Sequence, residues 1–507
     1  MPEPRRRPGG DRQGRSGGSG GSGQRRGPRR RSAQTPAQRA RHADPARAVA
    51  FRVLRQVDTD EAFANLVLPG ALRSAGLGGR DAAFATELTY GTLRLQGLYD
   101  AVVESAASRP AAEIDGPVLT VLRLGAHQLL GMRVPDHAAV SATVALAREQ
   151  VGQGAAGFVN AVLRRVSEQD RDDWVARLVE PVDDPVARLA LEHSHPEWVV
   201  RALRAALVSS RGAEVGDAEL GRLLAAHNTP GPLTLVARPG LGADGELGEV
   251  GARPAPVAPT AWELPQGDPG ALAAVREGRA AVQDAGSQLL TLALASAPLD
   301  GPDEQWLDLC AGPGGKAGLL AALAAGAGAS LRANEVSEHR AELVRHTLVG
   351  PVHAGARVEV TVGDGREVGA AQPGTYDRVL VDAPCTGLGA LRRRPEARWR
   401  RSPQDLTTLG PLQRELLGSA LQATRPGGLV AYATCSPHLA ETELVVRDVL
   451  KRHPGVEQVD VRPLLLDRAG EPLTGLGPGP SAQLWPHLHG TDGMFVALLR
   501  LPGRSLG

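Results

Sequence analysis

Leu307-Asp308-Leu309-Cys310-Ala311-Gly312-Pro313-Gly314-Gly315-Lys316 reads as a short apolar strand, a turn of small residues and the first turn of a helix. Glycines in such a turn let the backbone approach a ligand closely and take positive φ. The helix start offers free N–H groups and a positive dipole end to an anionic group. The stretch is not a phosphate-binding P-loop, because Ala317 stands where a hydroxyl would hold magnesium. Outward from it, strands are predicted at 305–309, 330–334, 357–362, 376–381 and 427–433, with a hairpin-like finish at 481–500. Helices are predicted at 316–326, 337–348 and 403–424. This alternation predicts a largely parallel, doubly wound sheet over 297–507. Ligands of such sheets bind beyond the carboxyl ends of the strands.

Those ends carry the reactive side chains. Glu335 follows the second strand, about 20 residues after the glycine turn, where a carboxylate can hold ribose hydroxyls. Asp364 follows the third, in Val362-Gly363-Asp364-Gly365-Arg366, and is placed to bind a base edge. Asp382 follows the fourth, in Val381-Asp382-Ala383-Pro384-Cys385, and Cys435 follows the fifth, in Tyr432-Ala433-Thr434-Cys435-Ser436-Pro437. A single acid at a strand end is usually a helix cap. Three in succession fit an adenosine-containing cofactor better, and the arrangement resembles the class I methyltransferases, which implies a Rossmann-like fold.

The chain of 507 residues holds three cysteines, Cys310, Cys385 and Cys435, and all lie in these motifs. An odd, small number does not make a disulfide framework. No Cys-x-x-Cys is present and no histidine lies at ligand spacing, so no metal site is expected. Free cysteines are often only small buried hydrophobes. The alternative is covalent catalysis. A thiolate adding to carbon 6 of a pyrimidine makes carbon 5 nucleophilic enough to take a sulfonium methyl, and a second thiol near an acid suits the later loss of the carbon 5 proton.

Upstream, the texture differs. Residues 1–44 are rich in Arg, Gly, Ser and Pro and read as a disordered tail. Residues 1–41 hold twelve arginines against Glu3 and Asp11, a net +10, while the rest carries 45 Lys and Arg against 54 Asp and Glu, a net −9. The tail is either an electrostatic RNA tether or a solvated extension. From Pro45, Ala46, Val49, Ala50, Val53, Leu54 and Val57 share one helix face. Helical patterns recur at 80–94, 95–107, 117–130, 138–150 and 155–167, predicting an all-α domain over 45–182. Residues 183–296 read as a small α/β module with a strand at 233–238, a loose Gly/Pro-rich stretch at 239–270 and a helix opening at Ala281–Gln288. No run approaches 18 apolar residues and no apolar leader segment stands at the start. A cytoplasmic monomer without membrane contact is therefore expected.

Two resemblances sharpen these readings. Ala82–Arg94, Leu122–Leu130 and Gly157–Arg165 resemble the NusB-like domain, a helical RNA-binding fold, in which Arg164 and Arg165 either touch phosphate or are solvated. Residues 183–507 resemble the RNA 5-methylcytosine methyltransferase family through Cys310–Lys316, Glu335 with Arg340, Gly363–Arg366, Asp382–Cys385 and Thr434-Cys435-Ser436, with support from Val282–Ala285 and Asp492-Gly493-Met494-Phe495. Fusion of the two looks like the RsmB (Sun/Fmu) type.

The resemblance implies S-adenosyl-L-methionine as cofactor, held by Cys310, Ala311, Gly312, Pro313, Gly314, Gly315, Lys316, Glu335, Arg340, Asp364 and Asp382. It implies Cys435 as nucleophile, Cys385 as the thiol of proton removal and release, and Asp382 as support for both cytosine and cofactor. It leaves Cys310 structural. It implies a cytosine of 16S ribosomal RNA, unassembled or early in assembly, as substrate. Transfer RNA is the alternative substrate, and a non-catalytic NusB-like antitermination factor is a reading that leaves both thiols unexplained. Gly312 stands where the family usually has Ala, and Glu335 where it usually has Asp. Arg392–Arg394 and Arg398–Arg401 are expected to border the RNA entrance, with Arg on phosphate and Trp399 stacking or packing.

Overall fold

The first helix begins at a side-chain cap: the Asp44 carboxylate accepts from the backbone N–H groups of Ala46 and Arg47, and Pro45 fills the first turn. The computed structural model describes residues 44–503 apart from 213 and 215, so the Arg-rich tail lies, but for Asp44, outside the described residues. Eight helices follow one another: α1 (Pro45–Thr59), α2 (Ala64–Ser74), α3 (Gly79–Arg94), α4 (Gln96–Ala107), α5 (Gly116–Leu130), α6 (Asp136–Gln150), α7 (Gln153–Val166) and α8 (Arg171–Val179). Val49, Val53, Leu54 and Val57 pack with Leu122, Leu124, Val159 and Leu163 in one core. Two of these helices escape the sequence pattern. α2 starts without a side-chain cap and carries Pro69 inside. α8 is short and acidic at its start, and only its Trp174 is buried, donating from Nε1 to Val166 O at 3.0 Å.

The stretch 183–296, expected to be one module, divides. Helices α9 (Pro185–Glu192), α10 (Glu197–Arg211) and α11 (Gly216–His227) share a core with Leu388, Leu391, Ala397 and Trp485 of the last domain. A four-stranded antiparallel sheet follows, in the order β2-β3-β1-β4, from β1 (Leu233–Ala237), β2 (Arg253–Pro254), β3 (Ala261–Leu264) and β4 (Ala280–Val282). Helices α12 (Asp244–Glu249) and α13 (Ala273–Arg276) connect its strands. The stretch 239–270 is therefore built rather than loose. Its strands are too short for alternation to show, yet Trp262 and Leu264 are buried with Leu235 and Leu247. Arg238 fastens this sheet to the next one, donating to Gly278 O at 2.6 Å and Thr347 O at 2.8 Å.

The main sheet has eight strands: β5 (Gln305–Asp308), β6 (Ser330–Glu335), β7 (Arg357–Val362), β8 (Tyr376–Asp382), β9 (Thr424–Thr434), β10 (Glu457–Val459), β11 (Ala482–Gln483) and β12 (Phe495–Arg500). Its order is β10-β12-β9-β8-β5-β6-β7, with β11 beside β12. β7, β6, β5, β8 and β9 run parallel, and β12 pairs antiparallel with β9 and β10. The pleat divides the core. Trp306, Leu380 and Ala431 face one layer with α14 (Ala285–Ser296) and α15 (Gly315–Gly326). Leu307, Val379, Val381, Val430 and Tyr432 face the other. The remaining helices are α16 (Glu338–Thr347), α17 (Val349–His353), α18 (Gly365–Ala371), α19 (Ala397–Arg400), α20 (Asp405–Ala423), α21 (Glu443–Arg452) and α22 (Pro486–His489). The chain leaves β5 toward β6 and β7, then returns to the other side of β5 as β8. The switch point therefore lies at the carboxyl ends of β5 and β8. No helix among the described residues is long and apolar enough to cross a membrane.

The arginine-rich segment after β8 departs from expectation. Arg398 is fully buried and donates to Ser194 O at 2.9 Å, Asn228 Oδ1 at 2.9 Å and Arg94 O at 3.2 Å. Arg400 donates to Val57 O and Glu61 O, both at 2.7 Å, and to Ala62 O. The Glu396 carboxylate accepts from Ala64 N at 3.0 Å. Trp399 packs over Gly97, where an added Cβ would lie 2.4 Å from the indole. These residues clasp the helical domain to the catalytic domain and are not available to phosphate. Burial, and then Arg94, pull the Arg398 guanidinium down to about 9. Replacing Arg398 by Met is expected to cost about 2–3 kcal/mol, because buried carbonyls lose a charged donor. Calorimetric unfolding should then split into two transitions; one unshifted transition would show that the clasp does not depend on Arg398.

Candidate active site

β5, β8 and β9 are neighbours, so their carboxyl ends bring the three cysteine motifs side by side. Cys385 and Cys435 are half-buried with their sulfurs 3.4 Å apart. Lys316, in the first turn of α15, donates from Nζ to Asp382 Oδ2 at 2.8 Å. Burial works to lower the Lys316 ammonium, but Asp382 and then Cys435 outweigh it and hold it above the usual lysine range.

The three thiols are electrically distinct. The hydrogen bond from Cys385 lowers the Cys435 thiol despite burial, and Lys316 and Arg394 reinforce it. The same hydrogen bond, then burial and the nearby Cys435 and Glu441, push Cys385 well up. Asp382 opposes these cations at Cys435, and the two thiols are still driven in opposite directions, Cys435 down and Cys385 up. Burial, then Asp308 and Asp382, push Cys310 up and keep it neutral. Cys310 packs at the edge of the core under α20.

The loop that bears Cys385 is held by a buried carboxylate that sequence reading passed over. Glu441 accepts from Thr386 N at 2.8 Å, Thr386 Oγ1 at 2.5 Å and Gln413 Nε2 at 3.2 Å. Gln413 also donates to Pro384 O at 2.9 Å. No spacing rule links Glu441 to Cys385, since they meet only through β9 and the loop after it. Behind Cys435, Gly389 N donates to the Cys435 carbonyl at 2.9 Å, and Gly493 N donates to Gly389 O at 2.8 Å. A Cβ on Gly389 would lie 1.9 Å from Gly493 O, so the close approach requires glycine. Asp284 joins the two supporting motifs, accepting from Gly286 N at 2.9 Å and Asp492 N at 3.1 Å.

The glycine turn after β5 forms as read. Gly314 caps α15 with φ of 110°, a conformation that favours glycine. Ala311 N donates to Asn334 O at 2.8 Å, and Pro313 and Gly315 complete the turn. Glu335 and Arg340 close on it. Glu335 Oε2 accepts from Gly312 N at 3.0 Å, Oε1 accepts from Ser337 N at 3.0 Å, and Arg340 Nη2 donates to Gly312 O at 2.6 Å. A Cβ on residue 312 would lie 2.3 Å from Glu335 Oε2. The two departures from the family pattern are thus one feature: the glycine leaves the space that the longer acid fills. Asp364 caps α18 and pairs with Arg366 at 2.6 Å, a hydrogen bond that holds its carboxyl below the usual range. Asp308 was quoted in the motif but given no role. Its carboxyl is buried without a hydrogen-bond partner among the described residues, and burial followed by Asp382 pushes it up to about 7.

A nucleoside with a cationic side chain fits these groups. Gly315 leaves open space where a Cβ would stand, and the Asp382 carboxylate beside Lys316 offers negative charge. Comparison with known proteins points the same way. The family model described as 16S rRNA methyltransferase RsmB/F matches residues 295–500, and that of the NusB family matches residues 44–168. A Mycobacterium tuberculosis protein provisionally named a methyltransferase is 52% identical, over 94% of this chain and 98% of its own. Ribosomal RNA small subunit methyltransferase B of Thermus thermophilus is 34% identical, over 90% of this chain and 97% of its own. The crystal structure of PH0851 superposes with a TM-score of 0.71 at 23% identity, over 92% of this chain and all of that one, and shares the fold.

Two measurements test this geometry. Gly312→Ala is expected to destabilise by about 1–3 kcal/mol as an overpacking change, and adding Glu335→Asp should restore most of the loss. Additive losses in urea denaturation would mean the two positions are independent. Iodoacetamide at neutral pH should label Cys435 first, since a lowered thiol keeps its thiolate at pH values where an ordinary thiol is protonated. Equal labelling of Cys385 and Cys435, read by peptide mass spectrometry, would refute the assignment of the thiolate.

Proposed function

The chain belongs to the RsmB/F family of 16S rRNA methyltransferases, and on that premise we propose that it methylates carbon 5 of a cytosine in 16S ribosomal RNA through a covalent Cys435–cytosine adduct. It is an S-adenosylmethionine-dependent RNA methyltransferase. The observation that carries the finer reading is the pair of half-buried thiols, 3.4 Å apart, beside the Lys316–Asp382 ion pair. A methyltransferase acting on nitrogen needs no thiol, and a binding factor needs neither.

The Cys310–Lys316 turn, Glu335, Arg340, Asp364 and Asp382 would hold S-adenosylmethionine, which when bound supplies an electrophilic methyl group. Asp308, buried beneath the turn, would lie on the side of its ammonium end. The chain's own residues do the rest. The Cys435 thiolate adds to carbon 6 of the cytosine, and the electrons of the ring double bond move toward carbon 5. Asp382 keeps Oδ2 on Lys316, and its Oδ1 would accept from the exocyclic amine and from the ring nitrogen once that nitrogen has taken a proton from water during the addition. Forming the carbon–sulfur bond removes the negative charge that held Cys385 protonated. Cys385 then gives its proton to water, and its thiolate takes the proton from the methylated carbon 5. The electrons return to the ring, the bond to Cys435 breaks, and its thiolate is regenerated. The target base enters unpaired or flipped, because carbon 6 must meet a sulfur at the sheet edge.

The substrate assignment draws on the relatives named for the small ribosomal subunit and on the helical NusB-family domain. The chain works in this reading as a cytoplasmic monomer on unassembled or early-assembly rRNA. Cys435→Ala should abolish methyl transfer while calorimetry still shows S-adenosylmethionine binding. Cys385→Ala should accumulate a protein–RNA adduct that resists denaturing gels. Normal turnover by the first variant, or no adduct with the second, would refute the division of roles. Bisulfite sequencing of a deletion strain locates the base: loss of one 5-methylcytosine from 16S rRNA supports the reading, and loss from transfer RNA would overturn the substrate.

A further inference from the structure

Six arginines lie between Arg392 and Arg401, and five are engaged inside the protein. Arg392 donates to Gly490 O at 2.8 Å, and Arg393 pairs with Asp492. Arg398 and Arg400 belong to the clasp, and Arg401 pairs with Asp405 at 3.1 Å. Arg394 differs. It is exposed, and its guanidinium makes no hydrogen bond or ion pair among the described residues. It lies over the ring of Phe63, 5.0 Å from the centroid. Phe63 is the residue just before α2, so it comes from the helical domain. Arg400 lies over the same ring at 5.3 Å and bonds the surrounding carbonyls, which fixes the ring in place.

The position of Arg394 is set from the catalytic side as well. Its backbone N–H bonds Ala390 O at 2.9 Å, one residue beyond Gly389, whose N–H holds the Cys435 carbonyl. Its charge is among those that favour the Cys435 thiolate. A planar cation stacked on an aromatic face keeps its N–H edge directed outward, and that edge matches phosphate geometry. Stacking also reduces the side-chain entropy lost when the edge is used.

We propose that Arg394 receives a phosphate of the RNA strand next to the target cytosine, and that Phe63 of the helical domain is the positioning residue that presents it. This deepens the reading of the chain as an RNA cytosine methyltransferase and rests on it. The helical domain then does more than recruit RNA at a distance: it completes the strand-binding edge of the catalytic pocket.

The test uses the full chain and transcribed 16S rRNA, with binding followed by fluorescence anisotropy across a salt series. Arg394→Ala is expected to weaken RNA binding about five- to tenfold and to reduce the magnitude of the salt slope by about 0.7, the share of one phosphate contact on a single strand. KM for RNA should rise by the same factor, and any fall in kcat at saturating RNA, from the charge lost near Cys435, should be restored by Arg394→Lys. Arg394→Lys should keep the salt slope. Phe63→Ala should weaken binding about two- to threefold with the slope unchanged, and Phe63→Trp should restore it. Arg401→Ala should change neither quantity. Wild-type affinity and slope for Arg394→Ala would overturn the proposal, as would a loss confined to kcat. S-adenosylmethionine affinity by calorimetry confirms that each variant is folded. If the wild-type chain binds the RNA but makes no 5-methylcytosine, the functional reading fails, and the binding series still decides the role of Arg394.

Discussion

The site depends on one half-buried cation, Lys316, held at the sheet edge where the cysteine motifs end. Its place is dictated by backbone. Lysine 316 follows Gly314, whose positive φ turns the chain from β5 into α15, so the ammonium emerges at the sheet edge where β8 and β9 also end. Asp382 anchors it at 2.8 Å from the end of β8. The lysine thus pairs with a carboxylate on β8 and acts through its charge on Cys435 after the adjacent β9, which links the glycine turn to both. Losing the glycine turn would misplace the charge, and losing the charge would remove one of the influences that lower the Cys435 thiol.

The second constraint is the register behind Cys435. Gly389 and Gly493 approach so closely that neither the loop after Cys385 nor the segment before β12 has room for a side chain there. That contact carries the chain from the paired thiols directly into residues 390–401, and those residues bind the helical domain through Glu396, Arg398, Trp399 and Arg400. Two domains that read as separate units in sequence are therefore coupled through one short segment that begins beside the Cys435 carbonyl.

The legible parts of the sequence were those with strong local signals. The glycine turn, the alternating strands and helices of 297–507 and the amphipathic faces of the helical domain each follow from residue types within a few positions. What escaped was long-range or locally weak. α2 has no cap and an internal proline, and β2 and β3 are too short to alternate. The arginines after β8 looked like an RNA-facing cluster, because charge alone does not reveal that Arg398 meets carbonyls from residues about 200 and 300 positions away. Glu441 had no motif around it, and its function follows only from the crossing of β8 and β9. The Gly312 and Glu335 departures looked like two mild oddities, and only the geometry shows one filling the space the other leaves.

The most direct test of the central claim is trapping with an RNA in which 5-fluorocytosine replaces cytosine. Fluorine on carbon 5 cannot leave as a proton, so a cytosine attacked at carbon 6 and methylated stays bound to the protein. Mass spectrometry of the digested complex should find the modified base on Cys435, and only when S-adenosylmethionine is present. A base found on Cys385, or no covalent complex at all, would contradict the account.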